Sequence, residues 1–311
     1  MIVIMIASLV LLVIGFVLLV RGADAFVDAA AGVARRFNIP AIVIGTTLVA
    51  IGTSAPEAAI SITAALKGSD GVSIGNVIGS NITNILLILG VTALIGATPI
   101  HKNTKKYELP FVGIITLLLC AFGIWAGAVS RLAAFIFLAL FIGFISYTVV
   151  MAKKSNEEAP EIKMSSLPMT IIMIIVGIAA IVLGSNLTVD SAMDIATRLG
   201  VSDRVIGLTL VALGTSLPEL AVCVAAALKH EYDMAVGNIV GSNIFNILFV
   251  LGTAAAIHPL PFDSAFIFDG AIAMLAVVML MLFTTRDSRL GRVAGIIFVL
   301  TYAAYTYYLV M

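Results

Sequence analysis

Residues 44–57, IGTTLVAIGTSAPE, return at residues 206–219 as IGLTLVALGTSLPE, identical at 11 of 14 positions. The correspondence holds at one offset of 162 residues, from Gly22 with Gly184 and Asp28 with Asp190 to Gly90 with Gly252. It includes a second block, GNVIGSNITNIL at 75–86 and GNIVGSNIFNIL at 237–248. A chain built this way is expected to fold as two related halves. Each half carries an acid inside an apolar stretch, Glu57 or Glu219.

The medium around those acids follows from composition: 61% of residues are hydrophobic, 11% are charged, and mean hydropathy is +1.18. These values identify an all-α polytopic membrane protein, because in hydrocarbon only helices or closed barrels satisfy their backbone groups. Runs of about 20 apolar residues predict ten transmembrane helices, at 2–31, 40–67, 71–97, 107–127, 130–152, 168–197, 202–229, 233–260, 265–285 and 289–310. The first run has no basic residue ahead of it and no small-residue cleavage site, and it continues past Arg21, so it is kept as a span rather than a secretion signal. The polar stretch KKSNEEAPEIKMSSL, 153–167, is too short for a soluble domain and serves as a linker between a first five-helix repeat, 1–152, and a second, 168–311. Five is odd, so the second copy is expected to cross the membrane upside down, an inverted repeat with its site near the midplane.

Orientation follows from the loops. One side holds Arg35, Arg36, Lys102, Lys105, Lys106, Lys153, Lys154, Lys163, Lys229, Arg286, Arg289 and Arg292; the other holds Lys67, Arg131, Arg198 and Arg204. The positive-inside bias places the first group in the cytoplasm and both termini outside a plasma membrane. Anionic lipid accounts for the juxtamembrane basic residues, and neither a nucleic acid nor a protein partner is implied. Cys120 and Cys223 fall within spans and are expected to be free, packed thiols.

Within the repeated blocks, Asn76, Ser80 and Asn84 share a helix face by their spacing of four, as do Asn238, Ser242 and Asn246. Thr53 and Glu57 share one likewise, and Thr53, Asn84, Thr215 and Asn246 fall near the centres of their spans. An ionised Glu at such depth costs about 2.5 kcal/mol or more to insert. No Lys or Arg lies at that depth, so either the acids are protonated or a cation supplies the missing charge. Carboxylate, hydroxyl, amide and carbonyl oxygens are hard-cation ligands, and two carboxylates balance one Ca2+. Pro56 and Pro218 lack an amide proton and disturb the carbonyl one turn earlier, so an opened helix can aim main-chain oxygens inward; Ala50, Thr53, Ala212 and Thr215 are the candidates. The pairs Gly75/Gly79 and Gly237/Gly241 have the spacing of helix-packing motifs. Asn81 and Asn243 lie one residue off the polar face and read as packing or supporting groups, and Asp28 and Asp190, near helix ends, as solvated or capping ones.

GTSAPE and GTSLPE, each followed by a GNxxGSNxxN block, resemble the paired repeat motifs of the sodium/calcium exchanger family, and the short ten-span chain resembles its prokaryotic members. The resemblance covers about 22–90 and 184–252. It implies that Glu57 and Glu219 bind Ca2+ with the carbonyls of Thr53 and Thr215, and that Asn84 and Asn246 complete the centre. It also implies flanking Na+ sites from Ser54, Ser80 and the Ala50 carbonyl on one side, and from Ser216, Ser242 and the Ala212 carbonyl on the other. Some relatives carry Asp at the position of Asn246. The first and sixth spans are, by the same resemblance, the moving elements.

The expected function is therefore Na+/Ca2+ antiport, Ca2+ leaving as Na+ enters, with the two ions as substrates, no cofactor and no covalent catalysis. An H+/Ca2+ antiporter on the same fold is the alternative, since Glu carries protons as readily as metals. An intramembrane hydrolase fits less well, for the chain lacks a GxGD segment, and a channel would need no counter-ion.

Overall fold

A computed structural model describes residues 2–68, 70–154, 166–200, 212–284 and 288–311. Most of the predicted linker and the start of the seventh predicted span lie outside the described residues, as do Lys163, Arg204 and Arg286 of the charge count. Among the described residues the helices are α1 (Ile2–Arg36), α2 (Ala41–Thr53), α3 (Ala55–Leu66), α4 (Gly71–Ile95), α5 (Thr104–Ala126) and α6 (Arg131–Lys154). They continue as α7 (Leu167–Arg198), α8 (Ala212–Thr215), α9 (Leu217–Leu228), α10 (Tyr232–Ile257), α11 (Ala265–Phe283) and α12 (Arg292–Val310). Eight of these are long and apolar enough to cross a membrane, and the pair α2–α3, bent by 49°, makes a ninth span if counted as one.

Burial separates two centre helices from the rest. The apolar windows of α4 and α10 are 72% and 83% buried, against 22–33% for the other six long helices, which turn large side chains such as Leu9, Phe16, Leu117, Phe135, Ile175 and Leu282 outward. Outward apolar side chains suit a lipid solvent, and the inner pair is the one that carries the GSN blocks.

Glycines allow the closest approaches. α2 crosses α10 where a methyl group added at Gly237 would lie 2.6 Å from the Ile42 carbonyl oxygen, and one at Gly45 2.6 Å from that of Met234. Gly241 meets Thr46 in the same crossing. The packing role read from the spacing is therefore borne out for Gly237 and Gly241 but not for Gly79, where an added methyl meets nothing within 4 Å. α1 and α7 lie side by side, with Gly15 against Gly184 and Gly22 against Gly177; an added methyl would sit 2.7 Å from Thr188 N at Gly15 and 2.9 Å from Ile181 N at Gly22.

Two short antiparallel strand pairs were not foreseen in an all-α reading. β1 (Thr98–Pro99) pairs with β4 (Arg289–Leu290), and β2 (Ala128–Val129) with β3 (Leu260–Pro261). They satisfy backbone groups of inter-helix segments, a need that hydropathy does not register. Asp28 is solvated, as expected near a helix end, and it also gains an ion pair. Its Oδ1 lies 2.7 Å from Lys229 Nζ, which also meets Asp24 Oδ1 at 2.6 Å and donates to the Asp24 carbonyl at 2.9 Å. Both carboxylates remain about half exposed, so Lys229→Ala should lower stability by less than about 1 kcal/mol. A larger fall in the thermal unfolding midpoint than that permits would show that this clamp is screened from water.

Candidate functional site

The two GTS-x-PE segments break their helices at the same place. Ser54 (φ −85°, ψ 11°) separates α2 from α3, and Ser216 (φ −90°, ψ 3°) separates α8 from α9. Pro56 and Pro218 stand in the first turn of the restarted helices, where a missing amide proton costs nothing. That turn also carries Glu57 and Glu219, so each carboxyl sits at a helix N-terminus, the end whose dipole favours negative charge. Ser54 N still donates to the Ala50 carbonyl at 3.0 Å, whereas Ser216 N reaches the Leu213 carbonyl at 3.1 Å.

The facing helices are wound wide at the matching point. α4 takes a π-helical turn over Thr83–Ile88 and α10 over Asn246–Leu251, which places Asn84 and Asn246 in equivalent irregular segments; such turns are frequent at functional positions. Around this centre Ala50, Thr53, Ser54, Glu57, Ser80, Asn84, Ser216, Glu219, Ser242 and Asn246 are all buried. Thr215 is half-buried, and Ala212 is described in its backbone only.

Hydrogen bonds cross between the halves. Ser54 Oγ lies 2.7 Å from Glu219 Oε1 and 2.9 Å from Ser242 Oγ, so Ser54 joins an acid and a serine of the second half. These bonds tie Ser54 to the second half, beyond the grouping with Ser80 that the resemblance implies. The reason is the α2–α10 crossing at Gly45 and Gly237, which sets the break of one half beside the GSN block of the other. Thr53 Oγ1, with one proton to donate, lies 3.1 Å from Asn238 Oδ1 and 3.2 Å from the Val49 carbonyl. Asn76 Nδ2 donates to the Glu57 carbonyl at 3.2 Å and to Ser61 Oγ at 2.9 Å. Its equivalent Asn238 donates to the thiol of Cys223, the residue matching Ser61, at 3.3 Å. Both cysteines are free.

Eight buried side-chain oxygens among the described residues have no hydrogen-bond partner, and six of them belong to residues of these breaks and π-helical turns: Glu57 Oε1 and Oε2, Glu219 Oε2, Asn84 Oδ1, Asn246 Oδ1 and Ser216 Oγ. A buried acceptor without a donor costs about 1–3 kcal/mol, so six on these segments demand a partner. All are hard oxygens, two are carboxylates, and no Lys, Arg or His pairs with either acid among the described residues. The arrangement can coordinate a small hard cation.

The other two unpartnered oxygens, Thr104 Oγ1 and Glu108 Oε2, belong to α5. Glu108 is buried, with Tyr147 OH 3.5 Å from its Oε1. Glu108 stands at the edge of an apolar run, where hydropathy does not single it out, and it has no counterpart in the second half, Gly270 holding the equivalent position.

The family model for sodium/calcium exchanger protein matches this chain twice, over residues 7–150 and 169–311. The putative antiporter CaxA of Alkalimonas amylolytica is 39% identical over 98% of this chain and 99% of its own. The sodium/calcium exchanger MaX1 of Methanosarcina acetivorans is 31% identical over 96% of this chain and 97% of its own. In three dimensions the chain is similar to the sodium-calcium exchanger NCX_Mj, solved after soaking with Na+ and Sr2+, with a TM-score of 0.85 and 36% identity over 96% and 98% of the two chains. With a family match over both halves and whole-length relatives above 30% identity, the chain belongs to the sodium/calcium exchanger protein family.

Proposed function

We propose that this chain exchanges Na+ for Ca2+ by giving one central site access to each side of the membrane in turn. The observation that carries the reading is the set of six buried oxygens without donors, supplied by both halves around two carboxylates with no basic partner. Ca2+ binds there with its two charges balanced by Glu57 and Glu219, and Asn84 and Asn246 contribute amide oxygens. The carbonyls of Thr53 and Thr215 complete the Ca2+ site, while Ser54 and Ser216, Ser80 and Ser242, and the carbonyls of Ala50 and Ala212 serve Na+. Because carboxylates shared by the two ion sets cannot be balanced by both at once, Na+ and Ca2+ displace each other, which couples their movements.

The architecture proposed to support this is ten spans in two inverted repeats, 1–152 and 168–311, joined by a cytoplasmic segment at 153–167, with both termini outside. Three contacts favour it. The segments joined by β1 and β4 are both assigned to the cytoplasm by the charge count, those joined by β2 and β3 both to the outside, and Arg35 pairs across 3.3 Å with Glu231 on the same cytoplasmic side. The reaction is ion exchange, without covalent chemistry.

Proteoliposomes loaded with Na+ and diluted into Na+-free buffer containing radioactive Ca2+, at clamped pH, test the function. Uptake should require internal Na+. With more than two Na+ per Ca2+, an inside-positive potential set with K+ and valinomycin should accelerate it. Uptake indifferent to Na+ but driven by a pH gradient would establish the proton antiporter instead.

A further inference from the structure

Four asparagines at the centre form a hydrogen-bonded chain, Asn84–Asn243–Asn81–Asn246, that joins the two halves. Asn81 Nδ2 donates to the main-chain carbonyl of Asn243 at 3.2 Å, and Asn243 Nδ2 donates back to that of Asn81 at 3.4 Å. Asn84 Nδ2 donates to Asn243 Oδ1 at 2.9 Å, and Asn246 Nδ2 to Asn81 Oδ1 at 3.2 Å. The offset of 162 exchanges Asn81 with Asn243 and Asn84 with Asn246, so every bond has its counterpart in the other half. All four side chains are buried.

We infer that Asn81 and Asn243 are positioning residues that aim the amide oxygens of Asn246 and Asn84 at the cation, each acting on the ligand of the opposite half; this rests on the proposal that the centre binds Ca2+. The reason is the fixed polarity of each group. A main-chain carbonyl only accepts, so Asn81 and Asn243 must each turn their NH2 toward the other's backbone. That leaves their Oδ1 atoms facing the central amides, and an Oδ1 also only accepts. Asn84 and Asn246 must therefore present NH2 to them, which commits both nitrogens and directs both oxygens the other way. Those oxygens are two of the six buried acceptors without a donor. A reversed central amide would set acceptor against acceptor and turn NH2 toward the cation. Groups behind a metal ligand that fix its orientation typically contribute 10- to 100-fold in affinity.

The crossed wiring makes the inference testable, because a general loss of structure would not respect it. Ca2+ affinity of the purified full chain is measured by isothermal titration and by Ca2+-dependent thermal stabilisation, for Asn81→Ala, Asn243→Ala, Asn84→Ala, Asn246→Ala and the paired variants. Asn81→Ala should raise the Ca2+ Kd roughly 10- to 100-fold. In an Asn246→Ala background the same change should add less than about twofold, whereas its effect and that of Asn84→Ala should multiply. Asn243→Ala should couple to Asn84→Ala in the mirror pattern. An Asn81→Ala protein that binds Ca2+ like the native chain, or that couples to Asn84 rather than to Asn246, overturns the positioning role. If Asn84→Ala and Asn246→Ala themselves leave Ca2+ binding unchanged, the central site is wrong and the inference falls with it. Should Asn81→Ala not yield folded protein, judged by its unfolding midpoint without Ca2+, Asn81→Ser carries the same cycle. Its shorter hydroxyl cannot hold both partners at these distances.

Discussion

Glu219→Gln, and equally Glu57→Gln, should abolish Na+-driven Ca2+ uptake, with a loss larger than the roughly 10- to 100-fold that removing a supporting group costs a metal site. Either change leaves one carboxylate to balance two charges in a buried centre where no basic side chain among the described residues pairs with the acids, and an uncompensated buried charge is expensive. The same variants carry a second, opposite signature. Glu57 has both carboxyl oxygens, and Glu219 one, buried without a donor, so the ion-free protein is held together against its own centre. Replacing a carboxylate by a neutral amide relieves that cost. The unfolding midpoint without Ca2+ or Na+ should therefore stay level or rise, while the stabilisation that saturating Ca2+ confers on the native chain, of order RT ln(1 + [L]/Kd), disappears. Uptake at more than a tenth of the native rate in either variant would remove the acids from the transport site.

The largest expected effect on folding is at a residue with no side chain. Gly237→Val should prevent accumulation of folded protein, because even the first carbon of the new side chain falls 2.6 Å from the Ile42 carbonyl oxygen and 3.0 Å from Gly45 Cα. Both are backbone atoms, which cannot rotate away. Overpacking usually costs about 1–3 kcal/mol, and more where backbone must move. Gly143→Ala in α6 is the matched control, since an added methyl there meets nothing within 4 Å. Fluorescence-detected size exclusion of the two variants beside the native chain reads the difference directly; a monodisperse Gly237→Val protein with an unchanged unfolding midpoint would show that α2 and α10 do not cross as closely as described.

These two predictions draw on different kinds of information. The acids were legible in the sequence because each signal was local: Glu57 and Glu219 are conspicuous in apolar runs, and their recurrence at a fixed offset separates them from accidents. The membrane class and the limits of the long helices were legible for the same reason. For example, the run at 168–197 became the helix Leu167–Arg198, since a stretch of apolar residues has few other ways to satisfy its backbone in lipid. An opened helix was legible from Pro56 and Pro218, although the breaks fall at Ser54 and Ser216, nearer the prolines than the carbonyl one turn back.

The partners within the centre were decided only by tertiary structure. Ser54 bonds Glu219 and Ser242, Thr53 bonds Asn238, and Asn84 bonds Asn243, contacts between residues 159–188 positions apart in the chain. Spacing within one helix states which side chains share a face, but which face of another helix stands opposite depends on where the axes cross. Here that is fixed by Gly45, Gly237 and Gly241, which let two backbones approach. Asn81 and Asn243, one residue off the polar faces in their own helices, become central for that reason, and Asp28 finds Lys229 across 201 positions of sequence. The sequence thus determined the solvent, the long apolar helices and the charged groups of this protein through local hydropathy and repetition; the hydrogen-bonded partners of those groups were decided by helix crossing, a property of pairs of helices that no single segment encodes.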